Sequence, residues 1–399
     1  MNILMVAPQP FFTPRGTPFS VYYRIRVACE LGHKVELLTY GQGNRVEVPG
    51  CRVIRIPAFR WLGPVGVGPS LRKLFLDFFM VAWTVGLLVR HRYDVVHAHE
   101  EAIFWCRWLK PLFRFRLVYD MHSSLPQQLN NFRFTRSRAL HWLFEVLERS
   151  SLREADAVIT ICPALSRHAK GIADNDKVVL IENSLYDAVK FAGSDVDGPD
   201  RLSEADRLAV ADQWLRSRHP EKVIAYAGTL EVYQGIDMLL EAFSLVGRQM
   251  PDASLLIVGG SPREVEQLRG YAQQLELGEA VHFTGQLPQP EAQRLVIHAG
   301  VAVSPRISGN NAPMKIYQLM ADGIAIVATR IESHTQILHD DIAILSDVST
   351  GKLAEAISGA LSDREGARAM GRRAQHWYRD QYSRTVYTTK MLKLLSLVT

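Results

Sequence analysis

The chain has 399 residues, of which 47% are hydrophobic and 22% are charged, proportions that are ordinary for a globular protein. Because a single hydrophobic core stops growing at about 250–300 residues, this length predicts two domains. The net charge of +5 is mildly basic, and it does not separate an anionic ligand from an anionic membrane or a nucleic acid. The four cysteines are scattered without a close pair, which argues against a disulfide framework or a cysteine metal cluster and favours a reducing compartment.

The sequence shows no targeting or membrane-spanning segment. Residues 1–7 carry no basic leader, so we expect no signal peptide. The most hydrophobic stretch, residues 74–89, is interrupted by Asp77. It is shorter than the ~17–25 apolar residues that a spanning helix needs. We therefore expect a cytoplasmic protein without a transmembrane helix.

In the first half of the chain, short apolar runs alternate with helical patterns. Residues 3–7 predict a strand, and a Pro/Gly loop leads from it to a helix at about residues 19–31. Further strands are expected at residues 34–40, 94–99, 117–121, 157–161 and 178–181. Runs this apolar are typical of strands buried on both faces, so they predict a parallel sheet covered by helices.

The pattern weakens at residues 186–220, which predicts a linker with a short helix near residues 204–215. It then restarts with a strand at 222–227, a helix at 236–250, and strands at 253–258, 281–283, 301–304, 324–328 and 342–345. Strand–helix alternation implies right-handed crossovers, so we expect an α/β fold of two doubly wound, Rossmann-like domains facing each other across a cleft. The predicted parts are a first domain 1–190, a linker 191–220, a second domain 221–375, and a C-terminal helix 376–399 that packs back toward the first domain.

The loop between the first strand and the first helix is the first candidate for ligand binding. Gly16 allows the backbone to approach a ligand closely, and Pro18 suits an early helical position. The N–H groups of a helix N-terminus also attract an anion. The alternative is a tight turn without a ligand. The G-x-G-x-x-G pattern of dinucleotide sites is absent from this loop.

Histidines stand at the ends of two predicted strands. His97 and His99 are two residues apart, so they point to one face of a continuing strand. They lack an acidic or cysteine partner at ligand spacing, and we predict no metal there. His122 is a candidate to hydrogen-bond a ligand hydroxyl or a developing charge. A hydrogen-bonded core histidine is the alternative.

Residues 303–329 carry the strongest pattern in the chain. A strand runs into a polar Gly/Asn loop, a helix starts at Pro313, and Gly323 ends that helix before another strand. Arg306 and Lys315 flank the loop and would neutralise a diphosphate, which favours a phosphate site over a plain crossover with solvated charges. The other residues of this segment that we expect to contact a donor are Gly309, Asn310, Asn311 and Met314.

Residues 318–329 resemble the signature E-A-M-A-x-G-x-P-V-V-A-T of the retaining GT-B glycosyltransferases of family 4. Residues 227–230 and 234–243 resemble that family's pattern G-R-L-x-x-x-K-G-x-D-x-L-L-x-A-F, and its weaker landmarks match residues 93–99, 155–160 and 182–183. The motifs span nearly the whole chain in the family's order. The resemblance implies a GT-B fold and transfer of a hexose-type sugar from a UDP- or GDP-sugar with retained configuration.

Four signature positions have lost their charge. The family's two acidic residues fall on Asn310 and Gln318, and its diphosphate-binding Arg and Lys fall on Thr229 and Gln234. A subgroup with a lysine before the signature helix is similar, so the resemblance implies that Lys315 takes over the diphosphate contacts. Gln318 would still accept hydrogen bonds from ribose hydroxyls through its carbonyl oxygen.

The resemblance also assigns the two substrates to the two domains. It places the nucleotide in the second domain and the acceptor in the first, with the Gly16 loop near the reacting sugar. The candidate catalytic residues are His122, Lys315 and Arg306, and the candidate acceptor-side residues are Arg15, His99 and Asn183. Because no D-x-D sequence or ligand cluster stands in a suitable loop, we expect no metal and no cofactor.

Residues 70–92, 105–116 and 132–138 mix aromatic and apolar side chains with cations. Such mixtures suit an element at an anionic lipid surface, single-stranded nucleic acid, or a buried helix with snorkelling cations. Because family members often use lipid-linked acceptors, we expect contact with the inner face of a membrane and a lipid-linked or polysaccharide acceptor. Nucleic acid is not expected, since no recognition motif accompanies these segments. Two alternatives are a non-catalytic GT-B scaffold or partner protein, which the lost charges would explain, and a sugar-nucleotide epimerase.

Overall fold

The computed structural model describes residues 1–12, 16–63, 65, 70–124, 138–184 and 203–399. They divide into two compact units. The first contains the described residues up to Asn183 together with Arg384–Thr399, and the second contains residues 184 and 203–383. The predicted class of two parallel-sheet α/β domains is confirmed. The candidate residue Arg15, residues 132–137 of one basic segment and residues 191–202 of the predicted linker lie outside the described residues.

The first unit is built on a seven-stranded parallel sheet with the strand order β3-β2-β1-β4-β5-β6-β7. The strands are β1 (Asn2–Ala7), β2 (Lys34–Thr39), β3 (Cys51–Arg55), β4 (Val95–His99), β5 (Arg116–Met121), β6 (Ala157–Thr160) and β7 (Val178–Leu180). The helices are α1 (Gly16–Glu30), α2 (Leu71–Arg90), α3 (Ala102–Phe113), α4 (Arg138–Glu154) and α5 (Pro163–Lys170), with 3-10 turns at Arg60–Leu62 and Asn175–Lys177. Strand β4 is buried throughout, as expected for a strand with helices on both faces.

Strand β3 is the one strand of the described chain that the sequence patterns did not predict. Its sequence, Cys-Arg-Val-Ile-Arg, places cations beside apolar residues instead of forming a continuous apolar run. It lies at the edge of the sheet, where its side chains are only partly buried. Edge strands carry charge because one side of the strand faces no partner strand.

The second unit contains a six-stranded sheet with the order β10-β9-β8-β11-β12-β13. Its strands are β8 (Val223–Ala227), β9 (Ser254–Val258), β10 (Val281–Gly285), β11 (Val301–Ser304), β12 (Ile326–Thr329) and β13 (Ile344–Ser346). Its helices are α6 (Glu204–Arg216), α7 (Ile236–Gln249), α8 (Pro262–Gln274), α9 (Gln289–Val296), α10 (Met314–Asp322), α11 (Glu332–Thr335), α12 (Thr350–Ser362) and α13 (Arg364–Tyr382), with 3-10 turns at Pro220–Lys222, Val232–Gln234 and Gly278–Ala280. The sheet residues divide between two hydrophobic clusters, as its two covered faces require.

The predicted linker, residues 191–220, overlaps helix α6. Ser203 and Asp206 form a capping box that starts this helix. Ala211 is fully buried in the same hydrophobic cluster as Val223 of β8. Apart from Ser184, the described part of the second unit therefore begins at Ser203, well before the predicted residue 221.

The predicted C-terminal helix, residues 376–399, is divided between two helices. Its first part belongs to α13, which stays in the second unit. Its second part forms α14 (Arg384–Ser396), which belongs to the first unit and packs on α1 and β7. Arg384 contacts both carboxylate oxygens of Glu30 at 2.7 Å, which ties α14 to the end of α1.

Helix α2 is amphipathic and leaves much of its apolar surface exposed. Leu76 and Met80 face the core, whereas Leu71, Leu74 and Phe78 are exposed. In the part of the chain that is described, no helix has both the length and the hydropathy that crossing a membrane requires.

Candidate functional site

The candidate site in the second unit is centred on the side-chain amine of Lys315. It lies in the first turn of α10, which Pro313 introduces and Gly323 ends with a left-handed backbone. Its Nζ lies 3.3 Å from the side-chain oxygen of Gln234 and 3.9 Å from the centre of the Tyr226 ring. Burial, reinforced by the positive charge of Arg306, lowers the pKa of Lys315 well below its ordinary value. No carboxylate among the described residues pairs with this amine, so an anionic ligand would be its first counter-ion.

Two of the neutral signature positions hold this lysine in place. The carbonyl oxygen of the buried Gln234 accepts a hydrogen bond from Lys315 Nζ, and Gln234 Nε2 donates to Thr229 Oγ1 at 3.2 Å. The Thr229 hydroxyl lies 2.7 Å from Glu231 Oε2, and the backbone oxygen of Thr229 accepts from Tyr226 at 2.5 Å. The family signature has cations at these two positions. This chain instead has the neutral, hydrogen-bonded pair Thr229 and Gln234, and Lys315 of α10 supplies the positive charge beside it.

Arg306 supplies the second cation of the site. Its Nη1 donates to the backbone oxygen of Asn311 at 2.9 Å, and its guanidinium lies 5.0 Å from the centre of the Tyr233 ring. Gly309 has a φ of +123°, and a Cβ there would lie 3.3 Å from Arg306 Nη1. The loop after β11 therefore folds back on the guanidinium in a conformation that favours glycine.

The strand ends beside Lys315 approach each other closely. Gly259, just after β9, has a φ of +120°, and a Cβ there would lie 2.0 Å from the backbone oxygen of Gly228. A Cβ on Gly228 would in turn lie 3.2 Å from Lys315 Nζ. Glycine at both positions allows these strand ends to lie against each other and against the amine, at the carboxyl ends of β8 and β9 where ligands of such sheets bind.

The remaining predicted donor residues lie around this loop and helix. Asn310 is exposed, and its backbone oxygen accepts from Gln336 at 2.8 Å. Asn311 and Met314 are partly buried. Gln318 Nε2 donates to Asp322 at 3.1 Å. The carbonyl oxygen of Gln318 is then the atom of this side chain that would accept a hydrogen bond from a ribose hydroxyl.

A buried histidine supports the base of the loop. His334 of α11 lies 2.9 Å from Ser304 Oγ at the end of β11 and 2.8 Å from the backbone oxygen of Thr329. Burial lowers the pKa of His334 to about 4, against the opposing effect of its bond to Thr329. This histidine is therefore neutral at pH 7, and its role is to fasten the ends of β11 and β12.

A second polar cluster lies at the carboxyl ends of β4 and β5 in the first unit. Its centre is Asp120, which is fully buried. One carboxylate oxygen of Asp120 lies 3.1 Å from His97 Nε2 and 3.6 Å from His99 Nδ1, and the other lies 3.3 Å from His122 Nε2. His99 Nδ1 and His122 Nε2 are 3.2 Å apart. The structure thus brings the candidates His99 and His122 together around one carboxylate.

Arg24 of α1 provides the cation of this cluster. It is fully buried, its Nε donates to Asp120 at 3.1 Å, and its Nη2 donates to the backbone oxygen of Ile181 at 2.9 Å. Its Nη1 donates to the hydroxyl of Tyr387 in α14. The sequence analysis did not identify Arg24 or Tyr387 as site residues, although an arginine within the largely apolar run of residues 18–28 was a usable signal.

Burial and the guanidinium of Arg24 determine which groups of this cluster are charged. Burial alone would raise the pKa of Asp120, but the neighbouring guanidinium holds it well below its usual range. Burial lowers the pKa of His99 far below its ordinary value and that of His122 to about 4, against the opposing charge of Asp120. Near neutral pH the cluster therefore contains one Arg–Asp ion pair beside the neutral imidazoles of His99 and His122.

Among the described residues, this cluster is the one whose ligand atoms most resemble a metal site. His97, His99 and Asp120 offer ligand atoms that lie within 4.8 Å of one another. However, Arg24 Nε already lies 3.1 Å from the same carboxylate oxygen that such an ion would use. A divalent cation would face the guanidinium charge at short range, so the side chains present fit an ion pair better than a metal.

Two further candidates of the first unit lie at the ends of its elements. Gly16 is exposed at the start of α1. Asn183 follows β7 and is buried, and its side-chain oxygen has no hydrogen-bond partner among the described residues. The neighbouring Glu182 pairs with Lys390 of α14.

Comparison with known proteins gives matches across both units. The glycosyl transferase 4-like domain matches residues 25–184, and the glycosyl transferases group 1 domain matches residues 211–377. The chain is 22% identical to a phosphatidylinositol N-acetylglucosaminyltransferase component of Arabidopsis thaliana, covering 91% of this chain and 74% of that protein. It is 25% identical to phosphatidyl-myo-inositol mannosyltransferase of Mycobacterium tuberculosis, covering 85% of this chain and 80% of that protein.

Solved structures share the fold. Sucrose-phosphate synthase from Thermosynechococcus elongatus has a TM-score of 0.71 at 19% identity, covering 99% of this chain and 98% of its own. Anabaena HepE in complex with UDP-glucose has a TM-score of 0.70 at 16% identity, covering 99% of each chain. The two parallel-sheet units and these likenesses define a GT-B protein.

The chain belongs to the family 4 type of GT-B glycosyltransferases, since both family domains match in order and the relatives are named as glycosyltransferases. The resemblance drawn from the signature motifs is thereby confirmed at the level of the family. The chain is a glycosyltransferase.

Proposed function

We propose that this glycosyltransferase moves a hexose-type sugar from a UDP- or GDP-sugar, with retained configuration, to a lipid-linked or glycan acceptor. The observation that carries the donor assignment is Lys315, an amine beside Gln234 and the Tyr226 ring without a carboxylate partner among the described residues. A nucleoside diphosphate would supply the missing negative charge.

The chemistry of the leaving group gives the two cations their role. As the bond between the sugar and the diphosphate breaks, negative charge grows on the diphosphate oxygens. Lys315 and Arg306 would stabilise that charge more in the transition state than in the bound donor, which raises the rate of the chemical step. Two fixed cations would do this without a metal ion, so we propose that the reaction is independent of divalent metals.

His122 is proposed to contact the sugar from the first unit. It is a neutral imidazole held by Asp120, so it would exchange hydrogen bonds with a hydroxyl rather than act as a fixed cation. His99, Asn183 and Arg15 remain the proposed residues of the acceptor side.

The names of relatives support the substrate classes. Two relatives are named for transfer to phosphatidylinositol and phosphatidyl-myo-inositol, and the Anabaena structure holds UDP-glucose. A lipid-linked acceptor in this chain is consistent with those names.

The exposed aromatic face of the first unit supports an acceptor at a membrane. We use this term for the exposed side chains of Trp61, Leu71, Leu74, Phe78, Trp108 and Leu112. Helices α2 and α3, which carry most of them, are joined by a 3.3 Å hydrogen bond from Trp105 to Thr84. Exposed apolar side chains together with the exposed cations Arg72 of α2 and Arg114 after α3 suit an anionic lipid surface. We propose that this face rests on the inner leaflet of a membrane.

The test is a melting panel with UDP, GDP and their sugars, with and without EDTA, followed by a turnover assay on the base that binds. A ligand of the native state raises the melting temperature by mass action. A selective rise that EDTA does not change, followed by sugar transfer, supports the proposal. Binding without turnover would favour a non-catalytic scaffold, and a changed donor sugar without acceptor would favour an epimerase. No shift with any nucleotide would overturn the donor assignment.

A further inference from the structure

Helix α14 places one side chain into the polar cluster of the first unit. Tyr387 is 3% exposed, and its hydroxyl accepts a hydrogen bond from Arg24. The guanidinium also lies 5.2 Å from the centre of the Tyr387 ring. The residues Arg24, Asp120 and Tyr387 therefore form a continuous buried chain from α14 to the strand that precedes His122.

Because this chain of residues is buried, the charge of Asp120 must be balanced within the protein. A buried carboxylate is costly unless its charge is paired. Arg24 provides the charge for Asp120, and its other donors are directed to Ile181 and Tyr387. Because guanidinium donors form a planar fork, the bonds to Ile181 and Tyr387 also fix the direction in which the third donor meets Asp120.

The orientation of Asp120 determines the protons on the neighbouring imidazoles. An ionised carboxylate only accepts hydrogen bonds, so His97 presents a protonated Nε2 to Oδ2 of Asp120. His122 Nε2 lies 3.3 Å from Oδ1, which accepts no hydrogen bond from the described residues, and the negative charge of that oxygen favours a proton on Nε2. The His122 proton then also faces His99 Nδ1 at 3.2 Å, which accepts. In this arrangement His122 carries its proton on Nε2.

We propose that Arg24 and Tyr387 are positioning residues that act through Asp120 to hold His122 in the Nε2-protonated tautomer. The inference rests on the proposed role of His122 at the sugar. It assigns to helix α14, which follows the whole second unit in the chain, a direct part in setting up a histidine of the first unit.

The test uses the full-length protein with Tyr387→Phe, which removes only the hydroxyl, and a matched control, Arg384→Gln. The control removes the ion pair that joins the same two helices at Glu30 but does not touch Asp120. Nitrogen-15 NMR of the histidine side chains reports the tautomer of His122 without any substrate. Transfer assays report kcat and KM separately.

We expect Tyr387→Phe to shift the His122 nitrogen signals toward a mixture of tautomers and to lower kcat about tenfold, since a hydrogen bond to a charged group is lost. Its nucleotide-induced melting shift should equal that of the wild type. Arg384→Gln should lower the melting temperature and leave the tautomer and kcat unchanged. Arg24→Lys, which keeps the charge but not the fork, should behave like Tyr387→Phe.

Wild-type nitrogen signals and wild-type kcat in Tyr387→Phe would overturn the inference, as would equal losses in Arg384→Gln. If the wild type shows no melting shift with any nucleotide, the proposed function fails. The NMR comparison then still decides whether the chain of residues sets the tautomer.

Discussion

Replacing Lys315 by methionine tests the donor site most directly. Methionine has a similar length and no charge, so the change removes the amine that lies 3.3 Å from Gln234 with little loss of packing. Hydrogen bonds to charged groups contribute about 1.5–3 kcal/mol. Losing such contacts to a diphosphate should therefore weaken nucleotide binding by roughly 10–150-fold.

The pH dependence gives a second, independent readout. Because burial lowers the pKa of Lys315 in the free protein, a diphosphate that requires the charged amine must raise it again on binding. Wild-type affinity should thus fall as pH rises above the lowered pKa, and binding should take up protons. In Lys315→Met both effects should disappear.

The same substitution should not harm the free protein. The unfolded chain binds a proton at Lys315 up to a higher pH than the folded one does. This residue therefore lowers the stability of the folded state below its lowered pKa, and that loss of stability fades as pH rises from there toward 10.5. Lys315→Met should therefore melt at the wild-type temperature or slightly above it.

Calorimetry in two buffers of different ionisation enthalpy measures affinity and proton uptake together. Lys352→Met is the control, because Lys352 is exposed on α12 and pairs with Glu355 at 2.8 Å, away from the loop. Wild-type affinity and wild-type proton uptake in Lys315→Met would refute the assignment of this lysine.

Three further outcomes follow from the same structure. Because burial lowers the pKa of His334 to about 4, the wild type should lose up to about 3 kcal/mol of unfolding free energy as pH falls from about 6.5 to about 4, and His334→Gln should reduce that slope in urea titrations. Trp108→Ser should reduce sedimentation with anionic vesicles at least severalfold, whereas Ile297→Ser, an exposed apolar position of the second unit, should not; equal losses would count against the aromatic face. Gly259→Ala should lower the melting temperature and abolish nucleotide binding, since its Cβ would lie 2.0 Å from the backbone oxygen of Gly228, and normal binding would show that the strand ends tolerate a side chain.

The sequence predicted most of the fold because buried parallel strands leave a strong pattern. The runs at residues 301–304 and 253–258 are apolar except for one serine each, and they correspond to β11 and β9 within a residue. Strand β3 escaped prediction, since an edge strand needs no continuous apolar run. Helix α6 was assigned to the linker, because its contact with the second unit relies on few buried residues such as Ala211.

The candidate site was predictable only in part. The loop around Arg306 and Lys315 was found because glycine, asparagine and proline stand at positions where the backbone needs them. The contact between Lys315 and Gln234 joins residues 81 positions apart, and that between Arg24 and Tyr387 joins residues 363 apart. Neither distance leaves a periodic trace in the sequence, so tertiary contacts of this kind need the structure.

The return of α14 to the first unit has a consequence for synthesis on the ribosome. Tyr387, Met391 and Leu394 are buried in the first unit, yet they are translated after residues 203–383 of the second. At about 5–20 residues per second, the surface that receives them waits roughly ten to forty seconds for its last helix. During that interval the surface of α1 and β7 on which α14 packs stays uncovered in the nascent first unit, so a chaperone would bind there and a chain that terminates early would stay exposed to proteolysis.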